Sequence, residues 1–216
     1  MSSHEQTEFV FGGSFDPVHL GHINLLTHLT QFFPSWKVRI LPCATPPLKE
    51  RTIASFEQRV VMLELGLENI AQFENITIDQ REHYRLGKSF TFDSLQDLKC
   101  ENPNVNLVLV LGADAISSIN QWYRVADLSQ LCHLMVVNRP GTVLGKLESS
   151  LQELGFNCAK SKQELELEPF GRYHCHTIEE RDISSTQIRE RLAKHQSVDH
   201  LLCANVINYI ADHRPY

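Results

Sequence analysis

The stretch "FGGSFDPVHLGH", residues 11–22, holds three glycines, a proline and two histidines three positions apart. It overlaps the end of "EFVFGG" (8–13), whose valine and phenylalanines are typical of a strand. It runs into "HINLLTHLTQFF" (22–33), where apolar residues recur at the three- and four-residue spacing of a helix. The sequence therefore predicts that residues 12–21 are the loop between a first strand and a first helix.

The same alternation of strand and helix continues along the chain. Several predicted strands are apolar on both faces, which is typical of strands covered by helices on both sides. This order predicts an α/β fold, a doubly wound, Rossmann-like parallel sheet with helices on both faces and C-terminal helices. Further strands are predicted at 37–42, 75–79, 106–112, 133–140 and 173–179, and helices at 55–70, 91–100, 125–131, 184–194 and 199–212.

The chain has 216 residues, which suits a single domain over 1–216. Within it we expect residues 1–6 to be flexible and 141–172 to form a peripheral helix and loops. The formal net charge of −6 argues against nucleic acid or an anionic membrane as a partner. Six cysteines are spread singly, and no leader or membrane-spanning run is evident. These features predict a cytoplasmic protein with reduced thiols.

The loop after the first strand of such a sheet usually lies where ligands bind, at the carboxyl ends of the strands. Gly12 and Gly13 are expected to let the backbone turn tightly and approach a ligand closely. His19 and His22 should lie on one face of the first helical turn, near free backbone N–H groups and the positive end of the helix dipole. The pattern matches neither GxGxxG nor a Walker A loop. It indicates an anion site in which two imidazoles hold phosphate oxygens.

A second helix start of this kind is "ISSTQIR", residues 183–189. Ser184, Ser185 and Thr186 place three hydroxyls at a helix N-terminus, and Ser184 with Gln187 has the spacing of a capping box. Arg189 follows within one turn. Taken alone, this segment is only a well-capped helix, but together with the first loop it indicates a second phosphate-binding element.

These two motifs resemble the signatures of the nucleotidylyltransferase superfamily, (G/S)-(T/S)-F-D-x-x-H-x-G-H and ISSTxIR. The resemblance implies that His19 and His22 are catalytic. It also implies a set of residues that bind ATP: Gly12, Gly13, Ser14, Phe15, His19, His22, Lys49, Gly112, Asp114, Ser184, Ser185, Thr186 and Arg189.

Within the superfamily, three segments are similar to bacterial nicotinate-mononucleotide adenylyltransferases: "VLGADAISSINQWYRVADL" (110–128), "KSFTFDSL" (88–95) and "VVNRPG" (136–141). Trp122 suits that acceptor, because a pyridinium ring is attracted to an electron-rich aromatic face. The resemblance implies that nicotinate mononucleotide contacts Thr45, Thr91, Trp122, Tyr123 and Arg139.

The chain departs from that family after the second strand. The family usually has P-P-H-(K/R), whereas "TPPLKE" places Leu48 at the histidine position and keeps the charge at Lys49. We expect activity to survive, because the change leaves His19 and His22 intact.

The resemblance implies in-line attack of the mononucleotide 5′-phosphate on the α-phosphorus of ATP, with Mg²⁺ bound to the ATP phosphates. Three alternatives remain open: nicotinamide mononucleotide as acceptor, phosphopantetheine as acceptor, or a nucleotide-binding regulatory protein without catalysis. Self-association is left open as well. His174 and His176 fall on one face of a strand, but no second pair with zinc spacing accompanies them, so no metal site is predicted there.

Overall fold

The fold was analysed in a computed structural model of the chain, which describes residues 6–47, 52–71, 73–138, 145–178 and 183–216. Its sheet has seven strands in the order β3-β2-β1-β4-β5-β7-β6, and every neighbouring pair is parallel. The predicted α/β fold is therefore confirmed. The strands are β1 Thr7–Gly13, β2 Lys37–Pro42, β3 Ile76–Ile78, β4 Asn106–Gly112, β5 His133–Asn138, β6 Asn157–Cys158 and β7 Arg172–Thr177.

Helices connect the strands on both faces of the sheet. The α-helices are α1 Leu20–Phe32, α2 Phe56–Leu67, α3 Arg81–Tyr84, α4 Thr91–Glu101, α5 Ala113–Ser117, α6 Gly145–Glu153, α7 Lys162–Leu167, α8 Ser185–Ala193 and α9 Ala204–His213. Short 3-10 helices lie at Phe73–Asn75, Ile119–Gln121 and Val125–Gln130. The segment predicted as a helix over 125–131 is thus one of the tighter 3-10 type.

Strand side chains alternate between two buried clusters, one on each face of the sheet. On β1, Phe9 and Phe11 join the cluster that includes residues of α1, α2, α8 and α9, while Val10 joins the cluster built on α4 and α6. β4 does the same with Val108 and Leu109. Burial on both faces is the reason that these strands are nearly continuous apolar runs.

The order of strands reverses between β1 and β4. β2 and β3 follow on one side of β1, and β5, β7 and β6 follow on the other side of β4. The loops that leave β1 and β4 therefore diverge, and a crevice opens at the carboxyl end of these two strands. The quoted stretch begins in β1 and continues as its outgoing loop, so the fold places it beside this crevice.

Other elements also differ from the sequence prediction. The short helices α3 and α5 and the two-residue edge strand β6 were not predicted, because each is too short to show a period. Helix α9 begins at Ala204 rather than near 199, because the apolar Leu201 and Leu202 are buried in a turn instead. The Leu201 carbonyl there accepts a hydrogen bond from the Leu20 N–H at the start of α1.

Across the described ranges, no helix combines the length and the apolar character that crossing a membrane requires.

Candidate active site

His19 and His22 lie together at the start of α1. Their rings stack with centroids 3.6 Å apart at 22°, and the His19 N–H donates to His22 Nδ1 across 3.2 Å. His19 is 7% exposed, and its Nδ1 is buried without a hydrogen-bond partner among the described residues. Burial lowers the pKa of His19 to about 4, so this ring is neutral at pH 7.

Phe15 supports this pair from the loop. Its ring lies edge-on to His22 with centroids 5.0 Å apart, and its φ of 48° makes the sharp turn after β1. A Cβ added to Gly13 would stand 2.9 Å from Phe15 Cζ, whereas one added to Gly12 would meet only the Leu41 carbonyl at 4.0 Å. The turn expected at the two glycines is therefore made by Phe15. Gly13 is needed because it leaves room for that ring.

The N-terminus of α1 leaves fewer backbone N–H groups free for an anion than the sequence predicts. The His19 N–H is taken by His22, and the Leu20 N–H donates to the Leu201 carbonyl across 2.9 Å. Two of the backbone donors that a ligand could have used are thus satisfied within the protein. The hydrogen-bond donors that remain for a phosphate at this helix start are therefore mainly the imidazoles.

The start of α8 lies against the same loop. Ser184 accepts from the Gln187 N–H across 3.2 Å as the predicted N-cap. Ser185 Oγ donates to the Pro17 carbonyl at 2.9 Å, and Arg189 Nη1 donates to the Asp16 carbonyl at 2.7 Å. The two sequence motifs, separated by some 160 residues in the chain, are therefore in direct contact. Thr186 lies beside Arg189, and its hydroxyl accepts from Arg189 Nη2 at 3.2 Å.

A buried arginine on α2 binds the backbone of the loop after β1. Arg59 on α2 is 0% exposed, and its Nη1 donates to the Ser14 carbonyl across 2.5 Å. Its Nε and Nη2 have no hydrogen-bond partner among the described residues, and burial lowers its pKa. The arginine lies on the apolar face of α2, three residues after Phe56 and one before Val60. The only sequence signal that Arg59 supports the loop was a charged residue on the apolar face of a predicted helix.

A cavity of about 680 Å³ opens beside the loop at the ends of β1 and β4. This volume suits a nucleotide-sized ligand. Its lining includes four residues of the sequence-predicted ATP set and three of the mononucleotide set: Gly12, Gly13, Ser14, Gly112, Thr91, Trp122 and Tyr123. The crevice expected from the strand order is therefore an actual cavity.

Aromatic side chains form one wall of the cavity. Trp122 is partly buried against the cluster on the α4 face, and the Tyr123 ring lies against Phe90, tilted by 35° with centroids 4.6 Å apart. Thr91 is the first residue of α4 and also lines the cavity. Thr45 lies nearby and pairs with Ser89 through its own N–H and carbonyl, which joins the loop after β2 to the start of α4.

Other predicted residues are not placed. Lys49, Arg139 and the departing residue Leu48 lie outside the described residues, and so does the side chain of Asp114. Sequence reasoning missed Cys43 and Glu82, which also line the cavity. Burial raises the pKa of both groups, that of Cys43 to about 12. Among the described residues, no cluster of three His, Cys, Asp or Glu side chains is arranged to hold a metal ion.

Comparison with known proteins was made on sequence and on structure. The cytidylyltransferase-like family model matches residues 10–191. A "probable nicotinate-nucleotide adenylyltransferase" of Hahella chejuensis is 37% identical over 96% of this chain and 94% of its own length. One of Psychromonas ingrahamii is 32% identical over the full length of both. The chain belongs to the nicotinate-nucleotide adenylyltransferase family.

Solved structures agree on the fold. A Plasmodium falciparum nicotinic acid mononucleotide adenylyltransferase complexed with NaAD superposes with a TM-score of 0.77 at 21% identity, covering 97% of this chain and 96% of that one. The same enzyme complexed with APC gives 0.75 at 20% identity, with the same coverage. The resemblance read from the sequence motifs is confirmed, as is the Rossmann-like fold of this nucleotidyltransferase family.

Proposed function

We propose that this chain transfers the adenylyl group of ATP to nicotinate mononucleotide, giving nicotinate adenine dinucleotide and pyrophosphate in NAD biosynthesis. The observation that carries the proposal is that one loop lines the cavity with Gly12, Gly13 and Ser14, bonds the start of α8 at Asp16 and Pro17, and ends in the stacked His19–His22 pair. Membership of the nicotinate-nucleotide adenylyltransferase family supports the choice of reaction.

Two substrates are assigned to two parts of the site. ATP lies along the first loop and the start of α8, with phosphates near His19, His22 and Arg189 and the nucleoside toward Gly112 and Asp114. Nicotinate mononucleotide occupies the cavity with its ring on Trp122. The mononucleotide part of the site also includes Thr45, Thr91, Tyr123 and Arg139. The part that binds the ATP phosphates also includes Lys49. The wall of aromatic side chains supports this division, because a cationic ring gains from stacking on an indole.

The chemistry needs positioning and charge stabilisation more than proton transfer. The 5′-phosphate of the mononucleotide is already an anion at pH 7, so it attacks the α-phosphorus in line without a side-chain base, and pyrophosphate leaves. Negative charge grows on the phosphoryl oxygens during this step. A neutral His19 donates a hydrogen bond there without adding a formal charge to a buried position.

ATP enters as its Mg²⁺ complex. A magnesium ion that keeps its phosphate and water ligands needs few protein ligands, which is compatible with a site built from imidazole, hydroxyl and guanidinium groups. We also place the protein in the cytoplasm. All six cysteines are free thiols, which favours a reducing compartment.

The test is pyrophosphate release from ATP and Mg²⁺ with one acceptor at a time. The proposal expects release with nicotinate mononucleotide and a loss of about 100-fold or more in kcat for His19→Ala, since an aligned donor to a developing charge contributes on that scale. His200→Ala, at an exposed position, serves as the control and should keep the wild-type rate. A folded, ATP-binding protein that releases no pyrophosphate with any acceptor is the regulatory alternative.

A further inference from the structure

A single carboxylate joins the first loop to three other parts of the chain. Asp16 is 3% exposed, and its Oδ2 accepts from the Ile53 N–H at 2.8 Å. Its Oδ1 accepts from the Ala54 N–H at 3.1 Å and from the Tyr216 hydroxyl at 2.9 Å. Arg189 Nη1 lies 3.8 Å from Oδ2. The sequence motif shows Asp16 only as the residue before a proline, so none of these contacts was predicted.

Tyr216 reaches this carboxylate from the far end of the sequence. Helix α9 packs on α2, and the chain then turns at Arg214, whose φ of 46° is left-handed. That turn brings the Tyr216 ring against the buried cluster on the α1 face. Burial and the neighbouring Asp16 raise the pKa of the Tyr216 phenol. The hydroxyl therefore stays protonated and donates to Asp16 throughout the neutral range.

The segments that meet at Asp16 are those that carry the site. Ile53 and Ala54 precede α2, whose Arg59 binds the Ser14 carbonyl. Arg189, from α8, binds the Asp16 carbonyl. His19 follows three residues after Asp16. Asp16 thus lies between the segment before α2, the start of α8 and the imidazole pair, with its carboxylate bonded to the first and 3.8 Å from Arg189 of the second.

We propose that Tyr216 is a positioning residue for adenylyl transfer, which acts by holding the Asp16 carboxylate and through it the loop that carries His19. The inference rests on the proposed function. Tyr216 touches no reacting atom in this account. Its hydroxyl fixes the carboxylate, the carboxylate fixes the 53–54 backbone, and the loop is thereby held in one geometry when ATP binds.

The physical reason to expect an effect on rate is that in-line attack tolerates little misplacement. A shift of about 1 Å in an aligned group costs on the order of 100-fold in rate. Without the Tyr216 hydroxyl, Oδ1 keeps only the Ala54 N–H, while Oδ2 keeps Ile53 and the longer Arg189 contact. The loop stays attached but gains freedom, so a partial loss of rate is expected.

The experiment compares Tyr216→Phe with Tyr209→Phe. The first variant removes one hydroxyl and keeps the ring. The second removes a hydroxyl from α9 at a partly buried tyrosine that stacks on His213 and does not contact Asp16. Steady-state rates with saturating ATP and nicotinate mononucleotide are expressed per folded molecule, with the folded fraction taken from circular dichroism. Amide hydrogen exchange is followed at Ile53 and Ala54.

The expected result is a fall of about tenfold in kcat for Tyr216→Phe, with a change of less than about twofold in the KM for nicotinate mononucleotide. Ile53 and Ala54 should exchange faster in that variant only, because exchange follows local opening. A kcat per folded molecule equal to that of Tyr209→Phe would overturn the inference, and so would unchanged exchange at both amides. If wild-type protein transfers adenylate to no acceptor, the proposed function fails instead, and the exchange measurement still tests the contact.

Discussion

At the scale of single residues, the sequence identified candidate site residues but not the contacts that hold them in place. The spacing of His19 and His22 predicts two rings on one face if the helical turn has begun at His19. The rings do stack, although His19 is the extended N-cap residue before α1. His19 is buried, with one nitrogen lacking a partner among the described residues, and the α1 start that follows it is tied to the Leu201 carbonyl through the Leu20 N–H. No local pattern contains that information, because Leu201 lies far away in the chain.

Trp122 carries the residue-scale prediction. If the pyridinium ring stacks on its indole, Trp122→Ala should raise the KM for nicotinate mononucleotide about tenfold, since a desolvated cation–π contact contributes about 1–2 kcal/mol. Trp122→Phe keeps an aromatic face and should fall between wild type and alanine. Steady-state kinetics at saturating ATP measure both variants. Equal KM values for all three proteins would place the ring elsewhere.

At the scale of elements, apolar periodicity predicted where most strands and helices lie. It did not always predict the structural role of individual residues within them. The turn expected at Gly12 and Gly13 is made by Phe15, and both glycines belong to β1. The predicted cap at Ser184 is present. The predicted start of α9 was early, because burial of Leu201 and Leu202 outweighs their helix propensity.

The two glycines give the element-scale prediction. Gly13→Ala places a methyl group 2.9 Å from Phe15 Cζ, so the ring that supports His22 must move. We expect its free energy of unfolding to fall by about 1–3 kcal/mol, the usual cost of overpacking. Gly12→Ala, the matched control, meets only the Leu41 carbonyl at 4.0 Å. Denaturant unfolding measures both, and equal stabilities would show that Phe15 has room to spare.

At the scale of the whole molecule, the sheet and the reversal of its strand order were predictable, because most strands and helices show their own apolar periodicity. The parallel order then follows from general rules of connection. The Asp16–Tyr216 contact, by contrast, joins residues 200 positions apart. Arg59 is likewise buried at the one polar position of an apolar helix face. Such contacts depend on the completed tertiary structure, and the sequence supplies no period or spacing for them.

Buried histidines predict how the stability of the whole molecule depends on pH. Burial lowers the pKa of His19 and of His176 to about 4, from an ordinary value of 6.5. The unfolded chain takes up these protons below pH 6.5, and the folded chain does so only near pH 4. The free energy of unfolding should therefore be greatest above pH 6.5 and fall as the pH drops from 6.5 to 4.

His176 isolates one part of that dependence. Its Nε2 lies 2.7 Å from His28 Nε2, and His174 is also close, so further protonation is opposed by its neighbours. His176→Gln should make the loss of stability between pH 6.5 and 4.5 shallower. The exposed His200→Gln, as the control, should keep the wild-type slope. Denaturant unfolding at several pH values measures the slopes, and an unchanged slope in His176→Gln would contradict the account.

The measurement that tests the central claim most directly is the ratio of kcat/KM among three acceptors, with pyrophosphate release followed at fixed ATP and Mg²⁺. The acceptors are nicotinate mononucleotide, nicotinamide mononucleotide and phosphopantetheine. The account predicts that nicotinate mononucleotide is preferred by about tenfold or more, as expected when a site is built to pair a carboxylate that the amide lacks. A preference for either of the other two acceptors would contradict the proposed acceptor. Silence with all three, in a folded protein that binds ATP, would contradict the enzyme itself and make Leu48→His the first variant to examine.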